Sequence, residues 1–96
     1  MKVRFSSLAR DELDAIFTYI ARDNPVAAQR VKSRIRDVAE QLGDFPHMAR
    51  STDRAGIRVR VVNPFPYLIF YTVRNEEVLI LHVRHGARRP LSDSNE

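Results

Sequence analysis

Residues 67–84 read YLIFYTVRNEEVLILHVR, and this stretch decides the fold. Residues 67–73 are apolar or aromatic on both faces, which is typical of a central strand of a sheet. The polar run 74–77 predicts a turn, and residues 78–84 predict the last strand. Together they predict an antiparallel hairpin at the centre of a sheet.

The segments before this hairpin predict one more strand and a loop. Residues 57–61 alternate apolar side chains with Arg58 and Arg60, so they predict a strand with both arginines on one face. Residues 63–66, Asn-Pro-Phe-Pro, cannot lie inside a strand because two prolines remove hydrogen-bond donors from the ladder. Residues 44–55 predict a loop, because they include Asp44, Pro46, Ser51, Thr52 and Asp53.

The N-terminal half predicts a short strand and a first helix. Residues 2–6 alternate as a half-buried strand does, and Ser6 and Ser7 supply an N-cap. The apolar positions of the helix then recur at the spacing of one helical stripe. They are Leu13, Ile16, Phe17 and Ile20. The helix is predicted to end near Asp23.

A second helix is predicted to start at Asn24-Pro25, because asparagine caps a helix and proline fits its first position. Its apolar stripe is Ala28, Val31, Ile35, Val38 and Leu42. Gly43 is predicted to end it as a left-handed cap. With almost no linker between them, the two helices are expected to form an antiparallel hairpin.

The element order β-α-α-β-β-β predicts an α+β fold, with the helical hairpin packed on one face of a mainly antiparallel sheet. The first strand must reach the sheet through a non-local pairing. A chain of 96 residues is too short for two cores, so residues 1–89 are predicted to form one domain. Residues 90–96 are predicted to be a polar tail.

Composition limits the chemistry. The absence of cysteine excludes disulfides and thiolate metal sites, and we predict neither a metal nor a cofactor. No apolar run is long enough to span a membrane, so we expect a cytoplasmic protein. The net charge is +4, and no lysine follows residue 48, so the positively charged side chains there are arginines. This balance fits either a polyanionic partner or an ordinary basic surface.

Four stretches carry a family resemblance. The first two are Ala9, Glu12, Leu13, Ile16 running into Tyr19-Ile20, and Asn24-Pro25-x-Ala27-Ala28. The last two are Gly56-Ile57-Arg58 leading to Pro66-Tyr67-Leu68-Ile69-Phe70-Tyr71, and Val83-Arg84-His85-Gly86-Ala87-Arg88. In this order, between residues 3 and 88, they resemble the ParE branch of the ParE/RelE toxin superfamily of type II toxin–antitoxin systems.

The resemblance implies a RelE/ParE-like fold and a cognate ParD-like antitoxin whose acidic C-terminal segment wraps the toxin. It implies complexes built from paired heterodimers. Members of the ParE branch generally poison DNA gyrase, whereas members of the RelE branch cleave mRNA in the ribosomal A site. The resemblance therefore leaves two functions open, a non-catalytic gyrase inhibitor used in plasmid stabilisation and a ribosome-dependent endonuclease.

A ribonuclease needs a base for the 2′-hydroxyl, a cation at the phosphorane and an acid for the leaving oxygen. The candidates for this alternative are Arg58, Arg60, His85 and Arg88. The chain has only two lysines, both before residue 33, and neither tyrosine nor histidine follows His85. RelE-type nucleases typically carry many lysines and arginines on the middle strands and a tyrosine or histidine close to the C-terminus. We therefore favour a binding protein that is not an enzyme and has no catalytic residue.

The target-binding residues are predicted at the end of the last strand and on the strand before the central one. They are Arg58, Arg60, His85, Gly86, Arg88 and Arg89. The structural alternatives are an exposed strand face for Arg58 and Arg60, and a hydrogen bond within the turn for His85. No helix-turn-helix spacing, zinc ligand set or RNP-like aromatic pair is present, so direct sequence-specific DNA binding is not expected.

Overall fold

The computed structural model describes residues 1–86, and Arg88, Arg89 and the predicted tail 90–96 lie outside this part. The described elements follow in chain order. They are β1 (Lys2–Phe5), α1 (Ser7–Ala21), α2 (Pro25–Asp44), β2 (Arg50–Ser51), β3 (Arg58–Val62), β4 (Tyr67–Arg74) and β5 (Glu77–His85). Neither helix combines the length and the apolar character that crossing a membrane requires.

The strands form one sheet in the order β1-β5-β4-β3-β2. β1 pairs with β5 in parallel, and the other neighbours are antiparallel. The predicted α+β class, the helical hairpin on a mainly antiparallel sheet and the non-local pairing of the first strand are confirmed. β4 lies between β5 and β3, and its residues Ile69, Phe70 and Tyr71 are all buried.

The helix starts are confirmed by their caps. The Ser6 hydroxyl accepts a hydrogen bond of 3.0 Å from the Ala9 N–H, and the Asn24 side chain accepts one of 3.0 Å from the Ala27 N–H. Each cap satisfies a backbone donor that the first turn of a helix leaves unpaired. α1 ends at Ala21, slightly earlier than predicted.

The core lies between the two helices and one face of the sheet. Its largest fully buried side chains are Tyr71, Ile35, Leu42, Ile69, Ile80, Val38, Val62, Val78 and Val83. The apolar stripe predicted for α2 is buried along its whole length. Of the stripe predicted for α1, Leu13 is buried, and Ile16 and Ile20 pack partly exposed against the core.

The prediction that Gly43 ends α2 in a left-handed conformation is wrong. α2 continues to Asp44, and Gly43 is a buried residue of its last turn. A Cβ atom at this position would lie 2.6 Å from the Met1 carbonyl oxygen and 2.9 Å from Cγ2 of Val3. Glycine is therefore needed here because β1 passes directly against the helix, and not because of a turn.

The prediction that residues 44–55 are entirely loop is also wrong in part. Arg50 and Ser51 form β2, which pairs with Val59 and Arg58 at the edge of the sheet. The strand is only two residues long and carries no apolar alternation, so the sequence pattern gives no sign of it.

The hairpin between β4 and β5 is tighter than predicted. Arg74 pairs with Glu77, so only Asn75 and Glu76 form the turn. Both have positive φ angles, 53° and 56°. This is the conformation of a two-residue type I′ turn, which asparagine tolerates well at its first position and glutamate tolerates poorly at its second.

Candidate partner-binding cleft

The first half of β5 is covered by β1, and the second half is not. β1 pairs with residues 77–80 of β5 and then ends at Phe5. Ser6 continues the contact, since its N–H donates to the Ile80 carbonyl at 2.9 Å and its hydroxyl donates to the Leu81 carbonyl at 3.3 Å. Beyond this point, residues 82–85 lie at an edge of the sheet that no other described strand occupies.

Glu12 takes the place of a neighbouring strand at this edge. Its Oε1 accepts a hydrogen bond of 2.9 Å from the Val83 N–H, the kind of bond that a strand carbonyl would make. Its Oε2 lies 3.5 Å from Nδ1 of His82 and 3.8 Å from Nε of Arg84. A carboxylate of α1 thus caps the sheet edge and lies between two side chains of β5.

An open cleft of about 710 Å³ lies between α1 and this edge of β5. The lining residues are Glu12, Ala15, Ile16, Tyr19, Tyr67, Val83, Arg84 and His85. Tyr19 is 71% exposed although it stands on the helix face that borders the cleft. The walls are therefore mainly apolar and aromatic, and Arg84 and His85 are the basic groups of the lining.

Arg84 has unused hydrogen-bonding capacity beside this cleft. Its Nε is buried and has no hydrogen-bond partner among the described residues. The Glu12 oxygen at 3.8 Å is too far for a hydrogen bond, although it is close enough for charge attraction. A carboxylate brought into the cleft would meet the positive charge of the Arg84 guanidinium, which makes only a long ion pair with Glu12.

Two of the predicted site residues, His85 and Gly86, lie at the end of β5 next to this cleft. The His85 ring contacts the ring of Tyr67 edge-on, with centroids 5.2 Å apart and planes at 82°. The Gly86 N–H donates to the Pro66 carbonyl at 2.6 Å. Arg88 and Arg89, which follow in the sequence, lie outside the described residues.

The other two predicted residues, Arg58 and Arg60, lie elsewhere and on the unexpected face of the sheet. Arg58 is paired with Tyr71 and Arg60 with Ile69, whose side chains are in the core beneath the helices. Cross-strand partners share a face, so the arginines are on the helix-covered side, where both are half-buried. The interpretation of an exposed arginine face is therefore wrong.

The alternation of apolar residues and arginines in β3 predicts a strand with two different faces, but it does not predict which face the helices cover. Val62 continues the arginine face two residues after Arg60 and is fully buried, whereas Val61 on the other face is 44% exposed. In the sequence, Val62 was the one indication that this face is covered, because it is an apolar residue on the same face as Arg58 and Arg60.

Both arginines bond to neighbouring segments. The Arg58 Nη1 donates to the carbonyls of His47 at 3.3 Å and Ala49 at 2.8 Å. The Arg60 Nη2 donates to the side-chain oxygen of Gln41 at 3.2 Å. Arg58 therefore holds the turn that follows α2, and Arg60 contacts the last turns of α2 itself.

Burial changes the acidity of two tyrosines on this covered face. It raises the pKa of the Tyr71 phenol, against a smaller opposite effect of the Arg58 charge, and it raises the pKa of Tyr67. The Tyr71 hydroxyl donates to the Pro46 carbonyl at 2.8 Å. Among residues 1–86 no group of three or more potential ligands is placed to hold a metal ion.

Comparison with known proteins identifies the family to which the chain belongs. A sequence model described as "ParE toxin of type II toxin-antitoxin system, parDE" matches residues 3–90, nearly the whole chain. The chain belongs to the ParE toxin family. The resemblance to the ParE/RelE superfamily that the four sequence stretches carry is confirmed.

Relatives of this ParE-family toxin carry both branch names. The toxin RelE2 of Caulobacter vibrioides is 40% identical over 77 residues, which cover 80% of this chain and 85% of the relative. The toxin ParE3 of the same bacterium is 31% identical over 78 residues, which cover 78% of this chain and 76% of the relative.

Solved structures share the fold. One described as the chromosomal ParDE TA system from P. aeruginosa matches with a TM-score of 0.78 at 22% identity, over 88% of this chain and 95% of that one. A conserved hypothetical protein from Helicobacter pylori matches with a TM-score of 0.57 at 15% identity, over 92% and 97%. The ParE-family toxin described here thus has the helical hairpin and sheet of these neighbours.

Glu12 and Tyr19 belong to the cleft, although neither was among the predicted site residues. In the sequence Glu12 has an ordinary explanation, an acidic residue near the start of a helix, where the helix dipole favours it. Only the tertiary pairing of α1 with the open edge of β5 shows its contact with Val83.

Proposed function

We propose that this toxin arrests growth by binding DNA gyrase while its DNA is cleaved, without catalysing a reaction itself. The observation that supports this most strongly is the separation of the groups that an RNase would need to bring together. Arg58 is paired with Tyr71, and His85 is paired with Tyr67, which lies four residues before Tyr71 on β4. At strand spacings this places their backbones about 13 Å apart along the sheet and about 10 Å across it.

The hydrogen bonds of the two arginines support the same conclusion. The Nη1 of Arg58 donates to two backbone carbonyls, and the Nη2 of Arg60 donates to Gln41. A phosphorane needs a cation directed at its oxygens, and a proton donor within hydrogen-bond reach of the leaving group. A poison needs neither, since gyrase makes the break and the toxin only has to bind the cleaved state more tightly than the religated one.

We propose that the cleft between α1 and β5 receives the acidic C-terminal segment of a ParD-like antitoxin. Its apolar walls suit an amphipathic segment, and residues 82–85 offer backbone groups to an added strand. The Arg84 guanidinium and the basic His85, which line the cleft, suit carboxylates of that segment. The partner would act in the cytoplasm, where gyrase works, and paired heterodimers are the expected assembly.

The experiment that tests the gyrase proposal is plasmid cleavage. Purified toxin is incubated with reconstituted gyrase, ATP and supercoiled plasmid, and trapped breaks are released with detergent and protease. Linear plasmid that needs both gyrase and toxin supports the proposal. Supercoiling that continues without breaks at saturating toxin would count against it.

The alternative is a RelE-like mRNA endonuclease, and the name of the 40% identical relative, RelE2, is the observation that favours it. Translating ribosomes with a defined mRNA test it directly. Toxin-dependent cuts at the A-site codon, with gyrase unaffected, would establish the endonuclease in place of the poison.

A further inference from the structure

The turn between α2 and β2 exposes two large apolar side chains. Phe45 is 59% exposed and Met48 is 63% exposed, and they stand three residues apart in a turn of residues 45–49. Isolated exposed apolar residues are common on protein surfaces. The way in which the backbone of this turn is held distinguishes this pair.

Two side chains of the sheet hold the turn by donating hydrogen bonds to the backbone carbonyl groups of the turn. The Tyr71 hydroxyl donates to the Pro46 carbonyl at 2.8 Å. The Arg58 guanidinium donates to the carbonyls of His47 and Ala49 at 3.3 and 2.8 Å. Tyr71 is fully buried, so a core residue uses its only polar group to hold this turn.

The turn also bonds to itself and to the helix before it. The Phe45 N–H donates to the Gln41 carbonyl at 3.0 Å, and the Met48 N–H donates to the Phe45 carbonyl at 3.3 Å. Ala49 is buried in the core, which anchors the far end. The backbone of the turn is therefore ordered before any partner binds, so binding would not carry the entropic cost of ordering it.

We propose that Phe45 and Met48 are the apolar anchors with which this toxin binds its protein target, in an apolar pocket bordered by carboxylates. The exposed Arg50 and Arg54, which follow the turn, are the groups that would meet those carboxylates. Aromatic residues, methionine and arginine are the types enriched at protein interfaces. This proposal rests on the proposed function, because it assigns the surface to the target of the toxin.

Position and charge favour the target over the other partners. The turn lies beside β2 and β3, at one edge of the sheet, whereas the cleft assigned to the antitoxin lies beyond β5 at the other. The exposed Asp44 and Asp53 balance the charges of Arg50 and Arg54, so this segment lacks the excess of positive charge with which proteins bind a nucleic-acid backbone. Arg58 is then a positioning residue, which acts through the turn and not by touching the target.

The test is the double variant Phe45→Ala/Met48→Ala, compared with Leu8→Ala/Val26→Ala. Leu8 and Val26 are similarly exposed, at 51% and 64%, but stand on the helices away from the turn. Three readouts are needed: growth arrest on induction in cells, binding to immobilised gyrase, and binding to the cognate antitoxin. Melting temperatures of all forms check that the fold is retained.

We expect the turn variant to lose growth arrest and at least about thirtyfold in affinity for gyrase, the loss typical of removing a central anchor. Antitoxin binding should be unchanged, and the control variant should match the parent in every assay. If the turn variant arrests growth as strongly as the control, the proposal is wrong. Loss of antitoxin binding in the turn variant alone would assign the surface to the antitoxin and also overturn it.

The growth assay separates the two proposals. If the parent arrests growth but neither binds gyrase nor traps DNA breaks, the gyrase proposal fails. In that case the growth assay still tests the turn proposal: loss of growth arrest in the turn variant supports it, and retained growth arrest overturns it. If the parent itself does not arrest growth, both are overturned.

Discussion

The Glu12 carboxylate on α1 accepts a hydrogen bond of 2.9 Å from the Val83 N–H on β5. A helix side chain thereby satisfies a strand edge that would otherwise face the open cleft. The contact joins α1 to the sheet, and it places the Glu12 carboxylate in the lining of the cleft. An entering partner strand would have to replace this acceptor with a carbonyl of its own.

Replacing Glu12 by alanine is predicted to lower the free energy of unfolding by about 1–3 kcal/mol, because it leaves a partly buried backbone donor unpaired. Hydrogen exchange at the Val83 amide should become faster. Glu12→Gln keeps an acceptor and should retain most of the protection. Asp14→Ala, an exposed acidic position on the same helix, is the matched control. Unchanged exchange at Val83 in Glu12→Ala would contradict the capping role.

Gly43→Ala is predicted to destabilise the protein by about 1–3 kcal/mol, the usual cost of forcing a methyl group into a packed site. Alanine is the better helix former, so a purely local view predicts the opposite sign. Urea unfolding measures the difference, with Ser33→Ala as the control on the exposed face of α2. A stabilised Gly43→Ala protein would show that β1 does not pass against the helix as described.

Glu76→Gly is predicted to raise the free energy of unfolding by roughly 1 kcal/mol, because the φ of Glu76 is +56° and a side chain with a Cβ is strained there. Arg74→Gly, at the end of the strand before the turn, should lower it instead. Chemical denaturation of the two variants gives the comparison. Equal losses in both would mean that the turn does not hold Glu76 in the left-handed region.

The pH dependence follows from the raised pKa of Tyr71. Burial favours the neutral phenol in the folded state, so the unfolded state loses its proton first. The resulting stability is present below about pH 10, the ordinary tyrosine value, and is lost as the pH rises from there through the folded pKa. Urea midpoints at pH 8, 10 and 11 should fall more steeply for the parent than for Tyr71→Phe. Parallel slopes would contradict this.

Much of the fold could be predicted because its signals are local. The Asn24-Pro25 restart, the caps at Ser6 and Asn24, and the apolar run of β4 each follow from the preferences of a few neighbouring residues. Gly43 was misassigned because glycine near a helix end usually serves a turn, and only the passage of β1 shows the other reason.

The candidate site was less predictable, since it depends on which faces and edges meet. The alternation at Arg58 and Arg60 is the same whether the helices cover that face or the other. The contact of Glu12 with Val83 joins residues 71 positions apart, and no local pattern contains it. The family resemblance implied the fold and two possible activities, and the proposal of a gyrase poison rests on the separation of Arg58 from His85 and on the hydrogen bonds of the arginines.

The gyrase–plasmid cleavage assay, run as a titration of the toxin, tests the central proposal most directly. We predict linear plasmid that rises with toxin, reaches a plateau when the toxin matches the gyrase present, and is absent when gyrase is omitted. A plateau is expected because a binding poison saturates its target. The contradicting result is a complete lack of linear plasmid at saturating toxin, together with A-site cleavage of mRNA by the same preparation.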